Sequence, residues 1–486
     1  MKNIFLKFTI VLLSLSVLGC SDFLEQEPGS QISIDEQLAT KEGILEALAG
    51  LYSNVEATLR TSPYTVYADL QGGNIKFSPV ASGSRLGQIN VPANLEQVYS
   101  FTDTALDSDL DSFYDACYTN INAANLIIEN LDTAANLSAE ERDQIHAEAL
   151  VFRGLMHFML VQVYAQDFNF SSEVKKGIVY KTESLQEELQ YAARATLTET
   201  YDAIATDFNT ALNLFTETQV LAGPDYSYVN LSNAKALLAR VYLSQQDWQN
   251  AFDLAEDVIL TSGVTLTPQA DYVASWEQPL APISETLLEL SVRRDTDGSL
   301  GGSLAATYGI SSSTSYGDFV ASQDLLDLYE ADDVRKDMFI EASLPTLEGI
   351  QQVNRNYYFT KKFQGEPSTP VIRLSELYLI AAEAAQQLGR TSDALGYLNA
   401  IRERSNLPAL TDAANLEELI FLERRRELAF ERHLLFDLKR QGRSINRNDG
   451  CIAQTCTLNY PSNFFVLPIP QNNINLNANL IQNEGY

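Results

Sequence analysis

Apolar residues recur at three- and four-residue steps along most of the chain. The clearest run starts at Val371: Leu374, Leu377, Tyr378, Ala381, Ala384, Ala385 and Leu388 share one face. That period predicts an amphipathic helix. Gly389 stops it, Thr391 or Ser392 is the expected cap of the next helix, and Asp393 sits near the positive end of its dipole. Ala394, Leu395, Leu398 and Ile401 form the answering stripe. Two antiparallel helices with small residues at their crossing are the expected product.

The same layout recurs. Helices are predicted over Glu36–Thr61, Leu106–Leu131, Ser138–Tyr164 and Leu197–Phe215, and a second helical pair over Val229–Ser244 and Asp247–Ser262. Ser138-Ala-Glu-Glu141 has a capping-box pattern. About four such pairs resemble stacked tetratricopeptide units. Residues 64–99 read mostly as loop, with Gly72-Gly73, Pro79, Gly83 and Pro92 as punctuation. Residues 263–370 break the helical period with Gly, Ser, Thr and aromatic residues. Only a strand near 285–292 and a short helix near Asp324–Glu330 are expected there. The predicted fold class is all-α: tetratricopeptide-like helical hairpins with a large irregular, loop-rich insertion. Function concentrates in insertions of this size.

Charge changes the picture at the third helix of the C-terminal region. Glu423, Glu427 and Glu431 are spaced four apart, with Arg424, Arg425 and Arg426 between them. Arg373, Glu376 and Glu383 are the candidates to meet them. Alternating signs at helical spacing satisfy each other, so a network tying three helices together is expected rather than an anion site.

These segments, R-x-x-E-L-Y-L-x-x-A-E-A from Arg373, L-N-x-I-R-x-R from Leu398, and ERRRELAFERHLLFDLKR over 423–440, resemble the C-terminal signature of the SusD/RagB family. The closing NFFVLPIPQNNINLNANLIQNEGY agrees, with Ala478 and Glu484 where proline is usual. EALVFRGLMHFMLVQVY resembles a further family segment, which implies that Arg153 is a buried structural arginine with an acidic partner. Asp333-Val334-Arg335 resembles the family's D-x-R element. The family consists of nutrient-capturing surface lipoproteins of Bacteroidetes. The resemblance implies a glycan-binding lipoprotein, not an enzyme, that passes oligosaccharide to a SusC-like TonB-dependent outer-membrane barrel.

The N-terminus fits. Lys2 and Lys7 precede an apolar run from Phe8 to Leu18 that is too short to span a bilayer, and Leu18-Gly19-Cys20 resembles a lipobox. Residues 1–19 are expected to be a signal peptide. Cys20 is the expected lipidation site, and residues 20–37 the tether of a single domain over 38–486, with helical repeats over 38–262 and 371–443 and a tail from 444. The membrane is met only through that lipid, and the expected location is the cell-surface side of the outer membrane. Among the other cysteines, Cys117 sits in an apolar stripe. Cys451 and Cys456 lie close together in a polar loop and are a candidate disulfide, because an exported protein meets oxidising conditions.

At 486 residues and 45% hydrophobic content the chain can bury a large core. Its formal net charge is −31. The first nineteen residues carry two lysines and no acid, so the remainder stands at −33. Such a charge disfavours nucleic acid and anionic polymers and leans towards a neutral glucan such as laminarin or starch.

No catalytic motif emerges. His146, His157 and His433 lie outside any H-E-x-x-H, and no nucleophile elbow, phosphate loop or dinucleotide fingerprint is present. A carboxylate pair for glycoside hydrolysis is not excluded by counting, since acids are many. Asp107, Asp109 and Asp111 alternate like a calcium loop but lack its glycine and closing glutamate, so a helix cap is expected. Asp295 and Asp297 read as a turn. No cofactor and no metal are expected. Trp248 and Trp276 read as core. Sugar capture needs flat apolar faces and planar polar groups. The candidates in irregular stretches are Asn74, Phe77, Tyr99 and Phe101 with Tyr64 in the first loop, and Arg293, Arg294, Asp295, Tyr308 and Tyr316 in the insertion. The alternatives are the same architecture serving peptides or glycoproteins, and a surface glycoside hydrolase.

Overall fold

The computed structural model describes residues 33–170, 175–185, 191–278, 282–291, 303–363, 368–412 and 414–486. Cys20 and most of the expected tether lie outside the described residues.

The helical period becomes a stack. The main helices are α1 (Lys41–Arg60), α2 (Tyr64–Gly72), α3 (Asp111–Asn130), α4 (Ala139–Tyr164), α5 (Leu197–Leu214), α6 (Leu231–Gln245), α7 (Trp248–Thr261), α8 (Leu374–Gln387), α9 (Thr391–Arg404), α10 (Leu416–Glu427), α11 (Leu434–Arg440) and α12 (Gln471–Leu476). Helix α1 packs on α3, α3 on α4, and so on in chain order through α9, with α10 laid against α8. One hydrophobic core runs through the array, from Leu38 to Leu480. Among the described residues three helix starts carry reciprocal capping boxes: Ser138 with Glu141, Thr196 with Glu199, and Asn230 with Asn233. Arg153 is buried and pairs with Asp207 through Nε and Nη2, as the resemblance implies.

Several expectations are corrected. The first predicted helix is two, because Ala39-Thr40 breaks it and Thr40 caps α1. The stretch read as loop after residue 64 begins with α2, which is buried along its whole length. Its period is invisible because no face is left polar. Neither Thr391 nor Ser392 caps α9, whose N-cap is Arg390 without a side-chain bond. Likewise Leu110, not an aspartate, precedes α3; Asp109 instead accepts the Val98 amide, at 2.9 Å. The third charged helix stops at Glu427, and Phe430 and Arg432 turn left-handed before α11 starts.

The insertion holds more regular structure than expected. Strand β2 (Thr286–Leu290) pairs antiparallel with β8 (Thr369–Arg373), whose last residue leads into α8. Most of the insertion therefore leaves and re-enters the array at one place. Strand β1 (Ile75–Phe77) comes from the first loop and pairs with β5 (Phe319–Ala321). Between β2 and β5 lies the small hairpin of β3 (Ile310–Ser312) and β4 (Ser315–Tyr316). Strands β6 (Phe339–Glu348) and β7 (Gln351–Thr360) form a ten-residue-per-strand hairpin. Its loop is Gly349-Ile350, with glycine first at φ +65° as a type II′ turn requires. That Gly-X pair was the readable signal for the hairpin.

The charged signature is an interior ion network. Arg373, 2% exposed, reaches Glu285, Glu427 and Glu431. Arg335 joins Asp333, Glu423 and Glu427, and Lys362 closes on Glu431 and the Glu427 and Ala429 carbonyls. The surrounding cations hold Glu431 down at about 2 against the pull of burial. Glu383 pairs with Arg440, whereas Glu376 is taken by Arg240 of α6. Buried charges tolerate this environment only when paired on every side.

Candidate functional site

Three segments distant in sequence converge where β1 meets β5. The first loop supplies residues 78–95, the insertion supplies β3–β4 and the β6–β7 hairpin, and the tail supplies the loop over 446–457 between β9 (Ile445–Asn446) and β10 (Thr457–Leu458). Gly87 ties the first loop to the hairpin, since its carbonyl accepts the Leu347 amide at 2.7 Å. A Cβ at Gly87 would stand 3.1 Å from both Leu347 N and Pro345 O, and its φ is +80°, so only glycine suits this junction. Lys76 of β1 holds Asp449 at 2.6 Å, and Asp324 accepts the Asn448 and Asp449 amides. Cys451 and Cys456 are joined as a disulfide that closes the same loop.

The far half of the hairpin projects beyond any core. Leu344, Tyr357 and Phe359 pack with Val320 as a small separate cluster at its base. Beyond them Gln351, Gln352, Asn354, Arg355 and Asn356 are exposed. Across the face stand exposed Arg85, half-buried Gln88 and Asn90, exposed Asn448 and exposed Gln454. The amides bond hydroxyls in both directions, whereas the guanidinium groups only donate to them. Carboxylates nearby are engaged: Glu348 by Arg355 at 2.7 and 2.9 Å, Glu341 by Asn356, and Asp449 by Lys76. Two polar atoms here are sheltered and unpartnered among the described residues, the Tyr316 hydroxyl and Asn90 Nδ2. Burial pushes the Tyr316 phenol up, so it stays a neutral donor.

The predicted aromatics gather here, but mostly inward. Tyr308 is fully buried and donates to the Thr65 carbonyl at 3.0 Å. Phe77 and Tyr99 are buried edge to face at 4.9 Å. Asn74 is buried, donating to Asp69 at 2.8 Å and accepting from Arg425 at 2.8 Å. Tyr64 is buried and stacked on Phe113 at 4.1 Å. None of these five offers a face to a ligand. They are packing residues, because a short irregular segment must bury its few large side chains to be ordered at all. Phe101 is half-buried, in a left-handed conformation at φ +55°. It flanks the Arg447 guanidinium at 4.8 Å, opposite Tyr99 at 4.3 Å. Arg447 has no carboxylate partner among the described residues, and burial lowers it to about 10. Tyr316 is half-buried against Phe359 at 5.4 Å. Arg293, Arg294 and Asp295 lie outside the described residues. Sequence reasoning missed Asn90, Asn354, Arg355, Asn356 and the 446–457 loop. For the three hairpin residues the signal was the polar run QQVNRN immediately before the aromatic YYF.

The histidines have structural settings. His157 is fully buried, its Nε2 accepts the Lys181 amide at 3.0 Å, and Nδ1 donates to the Arg153 carbonyl, so burial holds it neutral with a value near 3. His433 is lowered to about 4, chiefly by burial. Trp276 is buried with Lys362 and Arg373 over its ring, and Trp248 is half-buried. Among the described residues no three His, Cys, Asp or Glu side chains are grouped to hold a metal.

A stack of helical hairpins with a loop-built polar face is a helical-repeat scaffold for presenting a binding surface. Comparison with known proteins gives that class its family. A model described as the SusD family matches residues 348–486, and one described as starch-binding associating with outer membrane matches residues 22–243. The chain belongs to the SusD/RagB family. It is 25% identical to SusD-like protein P2 of Formosa agariphila, over 99% of each chain. It is 35% identical to the starch-binding protein SusD of Bacteroides thetaiotaomicron, over 24% of this chain and 21% of that one. A solved SusD superfamily protein from Bacteroides thetaiotaomicron superposes with a TM-score of 0.76 at 25% identity, covering 91% of this chain and 99% of that one. One from Bacteroides vulgatus reaches 0.79 at 24% identity, covering 92% and 99%, which speaks to the fold alone.

Proposed function

We propose that this chain is a cell-surface lipoprotein, anchored through Cys20, that captures polysaccharide or oligosaccharide on the loop face and passes it to a SusC-like TonB-dependent barrel. The ligand is a neutral glucan of the laminarin or starch type. Capture is non-covalent and no reaction is catalysed. Hydroxyls bond to Asn354, Asn356, Asn90 and Arg355, while Tyr316 and Phe101 supply apolar surface. Arg293, Arg294 and Asp295 belong to the same insertion and extend the candidate set. The carrying observation is the face itself: planar amides and guanidinium groups around half-buried aromatics, with the nearby carboxylates Glu341, Glu348 and Asp449 already engaged. The net charge of −31 supports an uncharged ligand. A lipid anchor would keep the face at high local concentration beside the transporter.

The test is native affinity electrophoresis of residues 21–486 through gels that each contain one polysaccharide. Laminarin, starch, mixed-linkage glucan, levan, mannan, xylan, pectin and alginate make the panel. Retardation by a neutral glucan is the expected result. Retardation only by pectin or alginate would overturn the choice of ligand, and no retardation by any would overturn glycan capture.

A further inference from the structure

A second concavity lies on the helical array, away from the loop face. It is a groove of about 350 Å³ between α1 and α3, closed at one end by Pro63 and Tyr64. Ala57, Ala116, Pro63 and Phe113 make its apolar surface, and Asn54, Thr58, Thr61, Ser112, Thr119 and Asn120 its polar one. Its size falls in the range of small-molecule sites.

The threonines of the groove have committed their hydroxyl protons. Thr58 donates its hydroxyl proton to the Asn54 carbonyl at 2.8 Å, Thr61 donates to Ala57, and Thr119 donates to Asp115 at 2.8 Å. Each proton is committed to its own helix, so what these oxygens can still do is accept. Asn120, 2% exposed, spends its Nδ2 on Thr58 at 2.9 Å, and its Oδ1 has no partner among the described residues. An unmet acceptor at that depth is costly until a donor reaches it. Asp111 and Asp115 follow on the same helix, which makes the rim unfavourable to anions.

We propose that this groove is a second carbohydrate site, which takes one pyranose unit. Sugar hydroxyls supply the donor that Asn120 Oδ1 lacks and can also donate to the Thr61 and Thr119 oxygens, and the C–H face of the ring lies against Ala57, Ala116 and Pro63. The ligand class rests on glycan capture, but the location does not. Helix α2 begins at the groove with Tyr64 and ends at Gly72, next to β1 of the loop face.

The test is saturation-transfer NMR on residues 21–486 with methyl α- and methyl β-D-glucopyranoside, beside the gel panel above. Two groove variants are compared with wild type: Ala57→Phe with Ala116→Phe, which fills the space, and Thr61→Lys with Ser112→Lys, which crowds the exposed rim without touching the core. Thermal melts identify a variant that fails to fold, and the rim variant then decides alone. The expected result is a fall of half or more in saturation transfer in both, while Asn354→Ala with Asn356→Ala keeps the groove-dependent part. Unchanged saturation transfer in the groove variants overturns the site, even if a polysaccharide still retards wild type. Groove-dependent transfer without retardation by any polysaccharide keeps the site and removes glycan capture. Groove-dependent transfer confined to 2-amino-2-deoxyglucose overturns the neutral-sugar assignment in favour of a cation site.

Discussion

The ion network behind α8 and α10 and the loop face beyond β1 and β5 use the same residue types for opposite ends. In the network Arg373, Arg335 and Arg404 are buried, and each reaches two or more carboxylates. On the loop face Arg85 and Arg355 are exposed, and Arg355 holds a single carboxylate. A buried guanidinium is fixed by what surrounds it and is unavailable to a ligand. An exposed one beside amides is free to exchange water for a sugar hydroxyl. Placement, not residue type, separates scaffold from site.

The comparison breaks most readily at Arg373. Arg373→Met leaves Glu285, Glu427 and Glu431 short of a shared partner, and a loss of about 3–5 kcal/mol is expected in denaturant melts. A loss below about 1 kcal/mol would mean that the network relaxes around the gap.

The next largest effect is on pH dependence. Burial raises Glu148 to about 7 from its ordinary 4.5, despite hydrogen bonds from Tyr52 and Gln144. Asp103 is raised to about 7, also by burial. A carboxyl raised in the fold stabilises fully below its unfolded value, and that contribution disappears as pH climbs through about 7. The lowered Glu431 has the reverse sign: its contribution is present above 4.5 and is lost as pH falls through about 2. Buried His157 and His433, lowered to about 3 and 4, act with the opposite sign below 6.5, so the readout is the variant against wild type: Glu148→Gln should be more stable relative to wild type near pH 8 than near pH 5. For Glu148 the contribution is at most on the order of 3 kcal/mol. The same difference between variant and wild type at both pH values would show that the carboxyl is solvated on demand.

Asn354→Ala with Asn356→Ala should leave the melt within about 0.5 kcal/mol. Affinity for the glycan identified by electrophoresis should fall about tenfold, or about 1.4 kcal/mol. Equal affinity would remove the hairpin from the site. The smallest effect expected is on stability from Arg355→Met, below about 1 kcal/mol because an exposed pair with Glu348 is screened by water. Set beside Arg373→Met, that substitution measures the contrast with one residue type.

Much of the scaffold was legible because amphipathic helices repeat a short period and announce their ends. Ser138 with Glu141 marked the start of α4, and Ala394, Leu398 and Ile401 marked the buried stripe of α9. Helix α2 was missed because a helix buried on all sides has no polar face to set the period. The β6–β7 hairpin was missed because the first half of β7, QQVNRN, is polar on both faces except at Val353 and shows no alternation.

The sequence alone determined the helical repeats, the family signature, the acidic surface and the pairing logic of the Glu–Arg segment, because each depends on neighbours within a few turns. Which aromatics face water was decided only by tertiary structure. Tyr308 and Tyr316 stand eight residues apart in one Gly- and Ser-rich stretch, yet one is sealed against Thr65 and the other is half open beside Phe359. The loops around them have no period to predict a face. Their inward and outward sides are set by contacts with segments distant in sequence, and those contacts exist only once the chain has folded.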